Sequence, residues 1–240
     1  MKRSGDVGTL YLCGTGTDRL RDMTLQTIEV LKASEVIFYI HGDKHLDFFK
    51  RFCPDVRSFD GKALAAMSDA ARIDSVGKLV CEELESGKKV AYVTYGHPVF
   101  FSDGFHMAQY CMKRGFRCRV IAAPSCLDSI SALMLENGVE AFAHDVCILH
   151  AGAIAAGSIR LTPAVPTILI GVDSVASAGP FRALVDRLEA AYPRRHLAYG
   201  VRCRDGRQEN VFFSTEIERL RDLESRIAPM LSLAIPGVSS

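Results

Sequence analysis

An α/β fold of two domains is what this sequence predicts, and three observations carry that reading. Through the first 122 residues, apolar runs of strand length alternate with segments of helical period, the pattern of a parallel sheet wrapped by helices. Past Pro124 the alternation breaks: two strand-like runs near 196–202 and 209–213 flank Arg204-Asp205-Gly206-Arg207, and Asp-Gly between strands signals a hairpin. The chain has 240 residues, which suits two domains of ordinary size. The expected division is therefore a parallel-sheet domain over 1–122 and a mixed-sheet domain over 123–240.

The elements follow in order. VGTLYLC (7–13) is an apolar strand that runs into Gly14 and Gly16, a glycine turn. Thr24 can cap a helix over 25–33, where Leu25, Ile28 and Leu31 recur at helical spacing. Residues 35–40 form a second strand, 45–52 a short helix closed by Pro54, and 56–59 a short strand. A longer helix over 67–86 stops at Gly87, with Lys88 and Lys89 after it. Val90–Tyr95 is the next strand, 103–114 a helix ending at Gly115, and 117–122 a strand. In the second half, a helix over 127–136 ends at Asn137-Gly138. Strands near 145–150 and 166–171, a helix near 177–191 and the hairpin follow. Thr215 is expected to cap a helix over 216–226, and 230–235 is a closing strand before Pro236-Gly237.

Composition narrows the function. With 29 basic and 28 acidic residues, well mixed, the net charge is +1, against a strongly basic nucleic-acid binder. The eight cysteines, at 13, 53, 81, 111, 118, 126, 147 and 203, include no Cys-x-x-Cys pair and no zinc-finger spacing. They read as reduced thiols of a cytoplasmic protein, several of them small core residues. No apolar run reaches the roughly 18 residues of a membrane span. The apolar stretch of the N-terminus is too short for a signal peptide. Neither nucleic acid nor membrane is expected as a partner.

The most informative stretch is VAYVTYGHPVFFSDGFHMAQ (90–109). It reads as a buried strand, a Tyr95-Gly96-His97-Pro98 turn, an aromatic lip and the start of a helix. The carboxyl ends of strands are where open α/β sheets bind small molecules. Gly14-Thr15-Gly16 lets backbone approach a ligand, or is simply a tight turn. It is not a dinucleotide fingerprint, because residue 19 is Arg and no acidic residue ends the second strand. His41 and His45 have the i, i+4 spacing of metal ligands, but no third ligand is indicated, and no metal is expected. Pro124-Ser125-Cys126-Leu127-Asp128-Ser129 opens a helix, whose N-terminus can bind an anion or be closed by an ordinary cap.

Taken in order, these segments resemble the tetrapyrrole (corrin/porphyrin) methylase family over nearly the whole chain. GTLYLCGTGTDRLRDMTLQTIEVLKASEVIFY resembles that family's opening strand, glycine loop and helix. VAYVTYGHPVFF resembles its Gly-Asp-Pro loop, with His97 where aspartate is usual. RCRVIAAPSCLDSISALM resembles its strand and Pro-Gly-Ile-Ser-Ser turn, and LSLAIPG its closing strand. The Tyr-Gly-His-Pro form is closest to the borosin-type peptide backbone N-methyltransferases.

The resemblance implies a two-domain tetrapyrrole methylase-like fold with the cofactor cleft between the domains. It implies S-adenosyl-L-methionine as cofactor, S-adenosyl-L-homocysteine as product, and a homodimer. It carries over Tyr95, His97 and Phe100 from the loop, and Leu127 and Asp128 from the helix-opening turn, as cofactor contacts. Looser matching adds Gly171, Val172, Gly200, Leu231 and Ser232, the last to read adenine and ribose together with backbone groups. Tyr95 and Arg72 are the implied catalytic pair: Tyr95 would orient the acceptor or help remove its proton, and Arg72 would stabilise developing negative charge. Two departures stand out. Borosin enzymes carry a tyrosine one helical turn from the arginine, whereas no tyrosine lies between residues 40 and 91 here. The chain also ends four residues after Pro236, so a peptide acceptor is expected to be a separate molecule. The expected function is an S-adenosylmethionine-dependent methyltransferase acting on a peptide backbone supplied in trans. The alternatives are methylation of a tetrapyrrole or other small molecule, or an inactive cofactor-binding regulatory module.

Overall fold

A computed structural model of the chain describes residues 8–40, 45–59, 66–142, 144–203 and 209–238. The chain forms two compact units that divide between Cys126 and Leu127.

In the first unit, β1 (Thr9–Gly14), β2 (Val36–Tyr39), β3 (Val56–Ser58), β4 (Lys89–Thr94) and β5 (Arg117–Ile121) make one sheet in the order β3-β2-β4-β1-β5. Every pair in it is parallel. The helices are α1 (Leu25–Ala33), α2 (Leu46–Phe49), α3 (Asp69–Glu85) and α4 (Asp103–Met112). Strand side chains alternate between two cores. Leu10, Leu12, Val36, Phe38, Val90 and Tyr92 face Ile73, Val76, Val80 and Leu84 of α3 and Met107 and Cys111 of α4. Cys13, Ile37, Tyr39, Ala91 and Val93 face Leu31 of α1 and Phe49 of α2. Burial on both faces is why β2 and β4 read as continuous apolar runs. It also pushes the Cys13 thiol up to about 12, so this cysteine packs as an unreactive core residue.

Helix ends follow the capping residues. Thr24 accepts from the Thr27 N–H at 3.1 Å, as its position predicts. Ser68, which the sequence reading placed inside the helix, caps α3 through the Ala71 N–H. Ser102 does the same for α4 through Gly104. Gly87 and Gly115 stop α3 and α4 with φ of +87° and +86°.

The second unit holds α5 (Cys126–Glu136), β6 (Cys147–His150), α6 (Ala151–Ala155), β7 (Thr167–Ile170), α7 (Ala178–Ala191), β8 (Leu197–Arg202), β9 (Val211–Glu216) and β10 (Leu231–Ile235). The sheet order is β6-β7-β10-β8-β9; β6–β7 is parallel and the other pairs are antiparallel, so the sheet is mixed, as expected. Phe181, Leu184, Val185 and Leu188 of α7 pack against Leu169, Leu231, Leu233 and Ile235 in its core.

Thr215 is a correction. It lies inside β9, opposite Ala198, and its hydroxyl donates to the Glu216 carbonyl rather than capping a helix. A β-branched residue in a ladder is at home there. The segment after it, Ile217–Arg226, is a 3-10 helix with no side-chain cap. The short helix α6 and the 3-10 turn Val172–Val175 were not anticipated. The expected turn 204–207 lies outside the described residues. Among the described residues, no helix is long and apolar enough to cross a membrane.

Candidate active site

The carboxyl ends of β1 and β4 lie side by side because these strands are neighbours in a parallel sheet. Their two loops are zipped by an isolated antiparallel bridge between Gly16 and Gly96, with N–H to carbonyl distances of 3.3 and 3.0 Å. The approach is too close for side chains. A Cβ on Gly14 would lie 2.3 Å from the Gly96 carbonyl oxygen, 2.8 Å from the Ala123 Cβ and 2.9 Å from the Pro98 Cδ. Gly14 is therefore the point where the loops after β1, β4 and β5 converge.

Tyr95 adds a side-chain tie. Its hydroxyl donates to the Thr17 carbonyl at 2.7 Å, across 78 residues of sequence. Below it, Asp22 braces the glycine loop. Its Oδ2 accepts from the Thr17 N–H at 2.9 Å and the Asp18 N–H at 2.7 Å, and from the Thr17 hydroxyl at 3.2 Å.

Two atoms mark open chemistry at this end of the sheet. Gly96 sits at φ +66°, and a Cβ there would meet nothing within 4 Å, so space is open over the loop backbone. Thr94 is 1% exposed, yet its hydroxyl has no hydrogen-bond partner among the described residues. A buried polar atom in that state is one a ligand can satisfy.

His97 is half-buried, and its Nδ1 accepts from the Val99 N–H at 3.3 Å. That bond assigns the proton of the neutral ring to Nε2. Phe100 packs edge-on against Phe101, ring centroids 4.8 Å apart, as the expected aromatic lip. Phe101 itself lies at φ +47°, a conformation that a bulky residue adopts only under constraint. Arg72, in the first turn of α3, pairs with Asp103 at the start of α4 at 2.8 Å. Asp103 also gains from the positive end of its helix. Beneath the pair lies buried Tyr92. Burial, with a smaller contribution from the Asp103 carboxylate, pushes its phenol well above the ordinary tyrosine value, while Arg72 opposes the shift.

Each candidate of the second unit has its own setting. Asp128 is exposed in the first turn of α5, and Leu127 beside it is half-buried. Gly171 follows β7 at φ +74°, and a Cβ on it would lie 2.7 Å from the His150 Nε2. Val172 and Leu231 point into the hydrophobic core, which leaves only their backbone for a ligand. Gly200 faces Phe213 across the ladder, and a Cβ there would strike the ring at 2.1 Å. Ser232 is 5% exposed on β10, opposite Val201.

Sequence reasoning missed Asp22, Asp103, His150 and Asp173. His150 caps α6 by accepting from the Gly152 N–H at 3.1 Å. Asp173 accepts from the Met230 N–H at 2.8 Å, holding Met230 at φ +66° just before Leu231-Ser232. Of these, only Asp22, five residues beyond Thr17, carried a local signal. Among the described residues, no group of three His, Cys, Asp or Glu is placed to hold a metal ion. The His41 of the His41/His45 pair lies outside them.

Residues 9–221 match the family model described as tetrapyrrole (corrin/porphyrin) methylases. A curated relative from Lentinula edodes, a methyltransferase/ribosomally synthesized cyclic peptide lentinulin A precursor, is 24% identical over 213 residues, covering 79% of this chain and 47% of that protein. The methyltransferase/omphalotin A precursor of Omphalotus olearius is 23% identical over 258 residues, covering 97% of this chain and 57% of that protein. The chain thus spans about half the length of these relatives. Among solved structures, the uroporphyrin-III C-methyltransferase of Thermus thermophilus superposes with a TM-score of 0.69 at 18% identity, covering 95% of this chain and 94% of that one. A cobalt precorrin-4 methyltransferase of cobalamin biosynthesis gives 0.67 at 12% identity, covering 98% and 97%.

Proposed function

The chain belongs to the tetrapyrrole (corrin/porphyrin) methylases, and on that premise we propose that it is an S-adenosylmethionine-dependent methyltransferase acting on the backbone amide of a separate peptide. The observation that supports this most is the open space over the Gly96 backbone where the two glycine loops are zipped together, at the end of the strand that carries the Thr94 hydroxyl. These residues fit a nucleoside cofactor, which needs close backbone approach and a few fixed polar groups. The curated relatives, named as methyltransferases and peptide precursors in one, support the peptide as acceptor.

The cofactor, when bound, supplies an electrophilic methyl group on its sulfonium. What the chain must do is hold and orient. Backbone groups of 14–17 and 95–98 form the binding edge. Tyr95 fixes the spacing of the two loops, and His97 fixes the turn through Val99. Phe100 shields the site from water. Arg72, oriented by Asp103, offers positive charge where an amide gathers negative charge. Leu127, Asp128, Gly171, Val172, Gly200, Leu231 and Ser232 are proposed cofactor contacts, each to be tested by single replacement. We place the protein in the cytoplasm, as a homodimer; light scattering on purified protein tests the second point.

Calorimetry with S-adenosylmethionine and S-adenosylhomocysteine tests the premise, and absence of binding to both overturns it. Incubation with methyl-labelled cofactor and host extract then separates the acceptors. Label in a peptide supports the reading, and label in a tetrapyrrole replaces the acceptor. Binding without transfer makes the chain a regulatory module.

A further inference from the structure

The outer face of the first unit carries a groove of about 560 Å³ between α3 and α4, separate from the loops after β1 and β4. Its floor is apolar: Ala70 and Ile73 of α3 and the ring of Tyr110 of α4. Its charged lining is Lys113 and Arg114, with His106 and Gln109 as the other polar members. No acidic side chain lines it among the described residues.

The groove is held in shape by specific contacts. A Cβ on Gly77 would lie 2.6 Å from the Tyr110 ring, so the glycine lets that ring rest on the backbone of α3. The Tyr110 hydroxyl donates to the Asp74 Oδ1 at 3.1 Å. Lys78 pairs with the same carboxylate at 2.6 Å. The Arg114 guanidinium lies 3.5 Å over the Tyr110 ring and spends one N–H on the Tyr110 carbonyl. Stacked in this way, it is ready to meet a carboxylate with its other N–H groups.

Lys113 and Arg114 are both exposed, and neither forms an ion pair among the described residues. Beside the groove, Phe105 and Met112, two helical turns apart on α4, are 48% and 61% exposed. Large apolar side chains in water, next to a one-signed rim, mark an interaction surface.

We propose that this groove docks an acidic, amphipathic peptide segment of another polypeptide. Its apolar side chains would cover Ile73, Tyr110 and Phe105, and its carboxylates would meet Lys113 and Arg114. From His106 to Lys113 the rim spans about 10 Å, or two turns of a partner helix. The proposal does not depend on the identity of the methyl acceptor.

The test uses the full chain and a fluorescein-labelled amphipathic helix of about 14 residues, Glu on one face and Leu on the other. A matched probe carries Lys in place of Glu. Anisotropy should show the acidic probe binding, weakening as salt rises, and losing about tenfold or more in Lys113→Glu/Arg114→Glu. Lys113→Arg/Arg114→Lys, which keeps the charge, should bind like the parent. Equal binding of the basic probe overturns the proposal, as does binding unchanged by charge reversal. Sedimentation supplies a further arm. A self-association that Lys113→Glu/Arg114→Glu abolishes would give the face to a second copy of the chain and overturn it as well.

Discussion

The phenol of Tyr95 donates to the carbonyl of Thr17 at 2.7 Å, joining the loop after β4 to the loop after β1. A hydroxyl committed to this bond sets the spacing of two loops whose backbones bridge through Gly16 and Gly96. Tyr95→Phe removes the bond and little volume. A hydrogen bond of this kind contributes about 1 kcal/mol, so the affinity for S-adenosylmethionine should fall about fivefold, and kcat/KM with it. Calorimetry beside steady-state kinetics reads this. A fall in kcat at unchanged affinity would instead assign the hydroxyl to the acceptor.

Two glycines of the same site should behave oppositely. At Gly14 a methyl group collides with the Gly96 carbonyl and two further neighbours, so Gly14→Ala forces the loops apart. Overpacking of this kind costs about 1–3 kcal/mol, and thermal unfolding should show it directly. At Gly96 the added methyl group meets open space, and the cost is the left-handed backbone alone, about 1–2 kcal/mol. Gly96→Ala should therefore fold, with the new methyl group occupying that open space and cofactor binding lost. Wild-type affinity in folded Gly96→Ala would remove Gly96 from the site.

Much of the scaffold was readable before any coordinates, and the reasons are local. Thr24 announces α1 because a cap acts within three residues of itself, and Gly87, Gly115 and Gly138 end helices because each takes a positive φ. The two faces of β4 are legible as an unbroken apolar run. The site was legible only as loops at strand ends. Its braces were not, because Asp103 meets Arg72 across 31 residues and Asp173 meets Met230 across 57. Thr215 misled for a related reason. A threonine before a charged, periodic segment looks like a cap, and only its pairing with Ala198 shows it to be in a strand.

Arg72 and Asp103 form a half-buried pair, with side-chain exposures of 19% and 27%. If the guanidinium serves the acceptor, its planar donor fork matters as well as its charge. Arg72→Lys should fold and bind cofactor normally while kcat drops by about tenfold or more, the loss of one charge-assisted bond in the transition state. Asp103→Asn, which releases the guanidinium from its orienting partner, should lower kcat in the same direction. Cofactor affinity lost in step with kcat would make the pair part of the binding scaffold instead.

Acid should loosen the first unit through one network. Arg57 of β3 pairs with Asp55 at 2.8 Å and with Glu83 of α3 at 2.7 Å, and Lys88 reaches the same Glu83 at 2.5 Å. A hydrogen bond from Arg57 holds the Asp55 carboxyl below the usual carboxylate range. Lys88 first, then Arg57, does the same for Glu83. Both groups bind protons more weakly folded than unfolded, so their stabilisation is complete above the unfolded carboxylate range near pH 4 and disappears as pH falls through the lower folded values. Urea unfolding followed from neutral to acid pH should show stability declining across that window. Glu83→Gln should lose about 1 kcal/mol at neutral pH and flatten the acid decline. An acid profile identical to that of the parent chain would show that the network carries no protonation-linked stability.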